Sequence, residues 1–354
     1  MSKDRYVAYV GTYTQGKSHG IYIFDIDTET WTMKERKVIP VDNPSDVLVS
    51  NNGQFLYAIT DLGVNAYQIL EDGDLEFLNC QWTGGMRGCY LETDMDDRFL
   101  FVAGYHDARV SVMPLGEDGY IGPVADGVFH EGIGLNITDR SAMPHVTCVK
   151  LTPNQKGIFA ADSGLDQVRV YDVNAKSGKL HLNDIIRCEL DSAPYMLRSY
   201  QQGKFIYILE QMSNRVCVYQ AAADPEREGE YNYECIQKIS TINEKKDQRA
   251  AACGIEFSPD GKHLFVSNAG INTMVVYNVD QETGLLEKIC SNYCSGDYPK
   301  SLAVLPDNEH FIVLSHNTDE IMTYRMNYEE RCFLMSAKPA VIGQPNSIFI
   351  HRLQ

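Results

Sequence analysis

The chain has 354 residues, a net charge of −17, 44% hydrophobic and 22% charged residues. Such an acid surplus leaves no basic surface to displace counterions from phosphates, which excludes nucleic acid as the principal partner. A local cation still outweighs the global field at contact distance, so a small anionic substrate is not excluded.

The first predicted elements are three strands with period-two alternation, YVAYVGTYT (6–14), GIYIFDID (20–27) and MKERKVIP (33–40). Six similar units follow. Their anchors are NNGQFLYAITD (51–61), MDDRFLFVAGY (95–105), PNQKGIFAADS (153–163), QQGKFIYILEQ (201–211), PDGKHLFVSNA (259–269) and PDNEHFIVLSH (306–316). Each is a polar tight turn, an apolar run and a small or polar residue. Before each anchor lies a short alternating run, as in HVTCVKL or CGIEFS, and after it another, as in QVRVYDV or MVVYNVD. A fourth, more polar run completes the unit. Four antiparallel strands repeated at this period predict an all-β propeller blade. No helical pattern is present. The chain ends on PNSIFIH (345–351), which reads as a blade's first strand. Joined to residues 6–40 it completes a seventh blade, so residues 1–354 are expected to form one seven-bladed domain closed by its own termini. Closure also removes the exposed edges of an open ring.

If the strands of a blade run A to D from the axis outward, the start of A and the end of B meet at one mouth. The A-starts bring Ser45, Asp46, Cys89, Tyr90, His145, Tyr195, Lys300 and Asn346 there. The B-ends bring Tyr13, Asp61, Tyr105, His106, Asp162, Glu210, Asn268, His316 and Asn317, and Arg87, Arg140 and Arg249 precede A-starts on the same side. The opposite mouth carries generic Gly, Asn, Asp and Gln turns. Tyrosines, histidines, acids and bases around a funnel suit a polar small molecule. The scattered acids Asp46, Asp61, Asp162 and Glu210 read as a solvated rim rather than a metal shell, and no metal or cofactor is expected. Most of the ten cysteines lie in apolar runs and read as buried thiols. There is no apolar run of ~18 residues and no leader-like N-terminus. A cytoplasmic protein without a membrane partner, monomeric or weakly dimeric, is therefore expected.

The segments YVGTYT, NPSDVLVS, MPHVTCVKLTPN, GLDQVRVYDV and SPDGKHLFVSNAG resemble the seven-bladed lactonase family from about residue 6 to the C-terminus. That family includes propeller-type 6-phosphogluconolactonases and carboxy-muconate lactonising enzymes. The resemblance implies hydrolysis of a sugar-derived lactone and carries over a histidine (His145, in PHVT) and a glutamate (Glu210, in LEQ) as an acid–base pair. From the residues gathered at that mouth, substrate contacts are expected from Arg140, Tyr195, Arg249, Lys300, Tyr105, His106, Asp162 and His316. The family's second histidine becomes Thr147, and two arginines become Tyr195 and Ala269, while a third becomes Lys300. Lactone hydrolysis needs an activated water and a positive or donor group at the oxyanion, so those losses keep two alternatives open. One is a sugar- or polyol-binding propeller without catalysis, and the other is a protein-docking propeller.

Overall fold

The computed structural model describes residues 4–134, 143–201, 203–227, 230–243 and 249–353. Every regular element among the described residues is a β-strand, and the strands form seven antiparallel sheets. Blade three is typical: Val146–Leu151, Gly157–Asp162, Gln167–Val173 and Leu180–Arg187 pair in sequence order. The innermost strand of each sheet touches the innermost strand of the next all the way round, which closes the ring. The closing sheet has the order Pro345–Arg352, Tyr6–Thr12, Gly20–Asp27, Thr32–Pro40. Its first two strands pair from Tyr6 opposite Arg352 to Gly11 opposite Ser347. One blade departs from four strands: in the last, Ala340–Val341 adds to Glu320–Asn327 beside Cys332–Met335.

The local chemistry explains the repeat. The turn between the first and second strands ends on a left-handed residue in six blades, either glycine (Gly53, Gly203, Gly261) or Asp97, Gln155 and Asn308. Polar side chains tolerate that conformation best after glycine. A hydroxyl or carboxylate before the turn accepts the next strand's amide, as Ser50 does from Phe55, Thr152 from Gly157 and Asp94 from Phe99.

The apolar faces then bury between blades. Seven hydrophobic clusters exist, one at each blade interface. At about 1.5–3 kcal/mol for each large side chain fully buried, these interfaces dominate stability. Tyrosines of second strands also cross the interface to carbonyls of the next blade: Tyr9 to Gly73 at 2.9 Å and Tyr207 to Gly284 at 2.7 Å. Two of the clusters flank the closing blade, and Ile348, Ile350, Phe349 and Leu353 pack into them from the C-terminal strand.

Candidate active site

The first strand of a blade does not start cleanly. In blades three to six and the closing blade the register slips by one at its start. The extra residue is Thr147, Tyr195, Cys253, Lys300 and Asn346 in turn. A β-bulge re-aims the side chain that it carries. Here all five point into a central funnel of about 360 Å³, together with Ser45 and Cys89 at the corresponding places of blades one and two. The next residue along the strand also faces the axis, adding Asp46, Tyr90, Met196, Ser301 and Ser347 to the wall. Tyr13, Arg87, Tyr105, His106, Gln211 and Tyr298 complete its upper part.

Two residues further down each inner strand, a second tier spans the axis. Lys150 pairs with Glu92, and Arg198 pairs with Glu256 at 3.0–3.1 Å and donates to the Tyr90 hydroxyl at 3.1 Å. These bridges link neighbouring blades beneath the funnel and form its charged floor.

Electrostatics inside the funnel are uneven. Lys300 is the lining lysine, and among the described residues it has no carboxylate partner. It lies 5.9 Å from the Tyr13 ring centroid and 5.6 Å from that of Tyr298, close enough for cation–π attraction. Burial lowers its pKa. Arg87 lies 4.8 Å over Tyr13 but is neutralised by Asp61 at 3.0 Å. Among the described residues Asp46 is the single acid in the lining. Its Oδ2 accepts from the Leu91 amide at 2.8 Å. Burial pushes its pKa up from the ordinary 3.8 to about 7, against the pull of that amide and of Lys150 and Arg198 beneath it. Burial also raises the thiols of Cys89 and Cys253, to about 12 and about 11, and the Tyr298 phenol to about 12. Tyr195 moves further in the same direction. These four therefore stay protonated and serve as neutral donors at neutral pH.

Of the residues expected at the site, Tyr105, His106, Tyr195 and Lys300 line the funnel. His145 stands one layer out. Its ring stacks on Tyr105 at 4.2 Å and its Nδ1 meets the Tyr105 carbonyl at 2.8 Å. His316 backs the wall edge-on to Tyr13 at 5.7 Å and to Tyr298 at 5.8 Å. Arg249 is exposed and outside the lining, and Arg140 falls outside the described residues. Glu210 and Asp162 are fully buried and point away from the cavity. The Glu210 carboxylate accepts from Ser213 at 2.6 Å and from Arg215 at 2.9 Å, while Asp162 meets His130 at 2.7 Å and holds the His145 amide at 2.9 Å. The structure therefore does not bring His145 and Glu210 together in the funnel.

The reason is geometric. His145 follows a proline, as Ser45, Tyr195, Lys300 and Asn346 do, and the shared proline suggests that the five are equivalent. Pairing shows Val146, not Pro144, opposite the last residue of the neighbouring strand, which makes Thr147 the bulged residue. Sequence reasoning also missed Cys253, Tyr298, Gln211 and the catalytic promise of Asp46. The one available signal was the local break of alternation in HVTCVKL and AACGIEF. No group of three or more His, Cys, Asp or Glu side chains among the described residues is arranged to hold a metal.

The family model described as "Lactonase, 7-bladed beta-propeller" matches residues 7–350. The chain is 28% identical to a 6-phosphogluconolactonase of Bacillus subtilis, over 99% of both chains. It is 26% identical to one of Formosa agariphila, over 91% of this chain and 92% of that one. Among solved structures, the periplasmic gluconolactonase of Pseudomonas aeruginosa superposes with a TM-score of 0.89 at 23% identity, covering 99% of this chain and all of that one. That last likeness speaks for the fold.

Proposed function

Because this chain belongs to the seven-bladed β-propeller lactonase family, we propose that its central funnel hydrolyses a sugar-derived lactone, with 6-phosphogluconolactone the first substrate to try. The observation that carries this reading is Lys300, a half-buried cation with no carboxylate partner among the described residues, opening on a cavity rich in hydroxyl and amide donors. An ester carbonyl under attack by water develops negative charge on its oxygen, and a fixed cation in a water-poor site stabilises that charge far more than solvent does. Tyr195, Tyr105, Thr147, Asn346 and Gln211 offer the donors and acceptors that a polyol ring requires. His106 lines the funnel, and His145 stacks behind it on Tyr105. Ten free thiols suit a reducing compartment, and the cytoplasm is the location we assign.

The test is turnover of 6-phosphogluconolactone and of unphosphorylated gluconolactone by purified protein, corrected for spontaneous hydrolysis. Failure to accelerate either overturns the reading. One observation favours a second reading, a propeller that binds sugar acids without turnover. The family arginine expected in the funnel is Tyr195, and Ala269, at the place of the other, is outside the lining. That reading predicts thermal stabilisation by gluconate without hydrolysis of its lactone.

A further inference from the structure

We propose that Asp46 is the general base of the funnel and that Ser45 and Asn346 help it to hold the attacking water. This rests on the lactonase reading. Among the described residues Asp46 is the single carboxylate in the lining, which makes it the wall's candidate for a carboxylate base. It stands on the inner strand of blade one, next to the inner strand of the closing blade, where the Asn346 side-chain amide donates to the Ser45 carbonyl. On this side of the funnel three buried polar atoms have no hydrogen-bond partner among the described residues: Ser45 Oγ, Asn346 Oδ1 and Ser347 Oγ. Buried polar atoms are satisfied in nearly every folded protein. A water needs two to four polar partners to be held, and Ser45, Asn346 and Ser347, which line the funnel with Asp46, carry the hydroxyls and amide that could supply them.

The reaction then balances as follows. Asp46 takes a proton from the water as its oxygen bonds to the lactone carbonyl carbon. The carbonyl electron pair moves to oxygen, which Lys300 steadies. Collapse of the tetrahedral intermediate breaks the ring C–O bond, and protonated Asp46 returns its proton to the leaving ring oxygen. Lactone and water become a hydroxy acid, with no other reagent consumed. A base that is half ionised near neutrality serves both halves of this sequence, and its raised pKa of about 7 is of that kind. The charged and titratable groups around it are Cys89 and Tyr90 from blade two, Lys150 paired with Glu92, Arg198 paired with Glu256, and Lys300 across the cavity.

Wild-type kcat/KM should fall on the acid side with a midpoint near pH 7. Asp46→Asn, which preserves an acceptor for the Leu91 amide, should lower kcat by ~10²–10⁴-fold with KM changed little, and should abolish that acid limb. Asp46→Ala should regain part of the activity when formate is added, which a merely structural aspartate would not allow. An active wild type with an active Asp46→Asn and an unchanged acid limb overturns the assignment while leaving the lactonase reading standing. A wild type inactive on every lactone overturns both.

Discussion

Two consecutive residues end the second strand of each blade, and they do opposite things. The first points between the blades. In the order of the ring it is Thr12, Thr60, Gly104, Asp162, Glu210, Asn268 and Ser315. Except for the glycine, each binds the start of the third strand or the loop arriving from the preceding blade: Thr12 to the Gly20 carbonyl, Asp162 to His130, Glu210 to Arg215, Asn268 to Thr241 and Ser315 to the Ser295 carbonyl. These are latches between strands and blades. Of the residues that come next, Tyr13, Tyr105 and Gln211 line the funnel. One step along an extended chain thus separates a structural ring from a functional one, because successive side chains of a strand leave on opposite faces. Acids at such a mouth are not interchangeable: Glu210 ties the second strand of its own blade to the third, and Asp46 faces the funnel.

The contrast can be broken wholesale by removing residues 345–354. That deletion takes the innermost strand from the closing blade and strips apolar groups from two interface clusters. We expect both rings to be lost, with the urea midpoint down by more than about 1 M or no cooperative transition at all; an unchanged midpoint would count against closure by the termini. Asp162→Ala is the next largest. It leaves His130, itself without exposed surface and with its pKa lowered by burial, unpaired in the interface at a cost of about 1–3 kcal/mol, and its lactonase kcat should stay within about threefold once the protein is folded. Glu210→Gln sharpens the same point with a milder loss of about 1–2 kcal/mol. A kcat that collapsed while stability held would move Glu210 from the latch ring to the chemistry.

On the funnel side the pattern should invert. Lys300→Met should lower kcat/KM by ~10²-fold, the size of one lost oxyanion donor, with a melting temperature equal to or above the wild type's. Asp46→Asn should show the smallest effect on stability and a telling sign. Between roughly pH 4 and 7 the folded chain keeps a proton on Asp46 that the unfolded chain has released. Folding therefore loses stability as pH rises through that window. Asparagine carries no charge to bury, so the variant should gain over wild type at pH 8 and show no gain at pH 4, as thermal melts at the two pH values can decide.

The blade count was readable from the repeat alone, since turn chemistry recurs in six blades and strand alternation in all seven. The four closing strands predicted at 6–14, 20–27, 33–40 and 345–351 occur as Tyr6–Thr12, Gly20–Asp27, Thr32–Pro40 and Pro345–Arg352. Tyr195 and Lys300 were readable because each directly follows a proline at a bulge. His145 also follows a proline, but there the bulge comes two residues later at Thr147, and no local pattern distinguishes the cases. Asp162 and Glu210 misdirected attention for a different reason. At a strand's end the facing of a polar residue is set by register with its neighbour, which a chain read alone does not contain.

Tyr6–Thr12 has its inner partner in Pro345–Arg352, which lies more than 300 residues further along the chain. At about 5–20 residues per second a ribosome needs roughly 20–70 s to supply it. For all that time one backbone edge of the nascent ring, with the apolar flank of Tyr9 and Val10, remains open to pairing with another chain. The joint that makes the finished ring seamless thus makes the growing one dependent on dilution or on a chaperone's cover. Slowing translation near the C-terminus should raise the aggregated fraction without altering the protein that escapes.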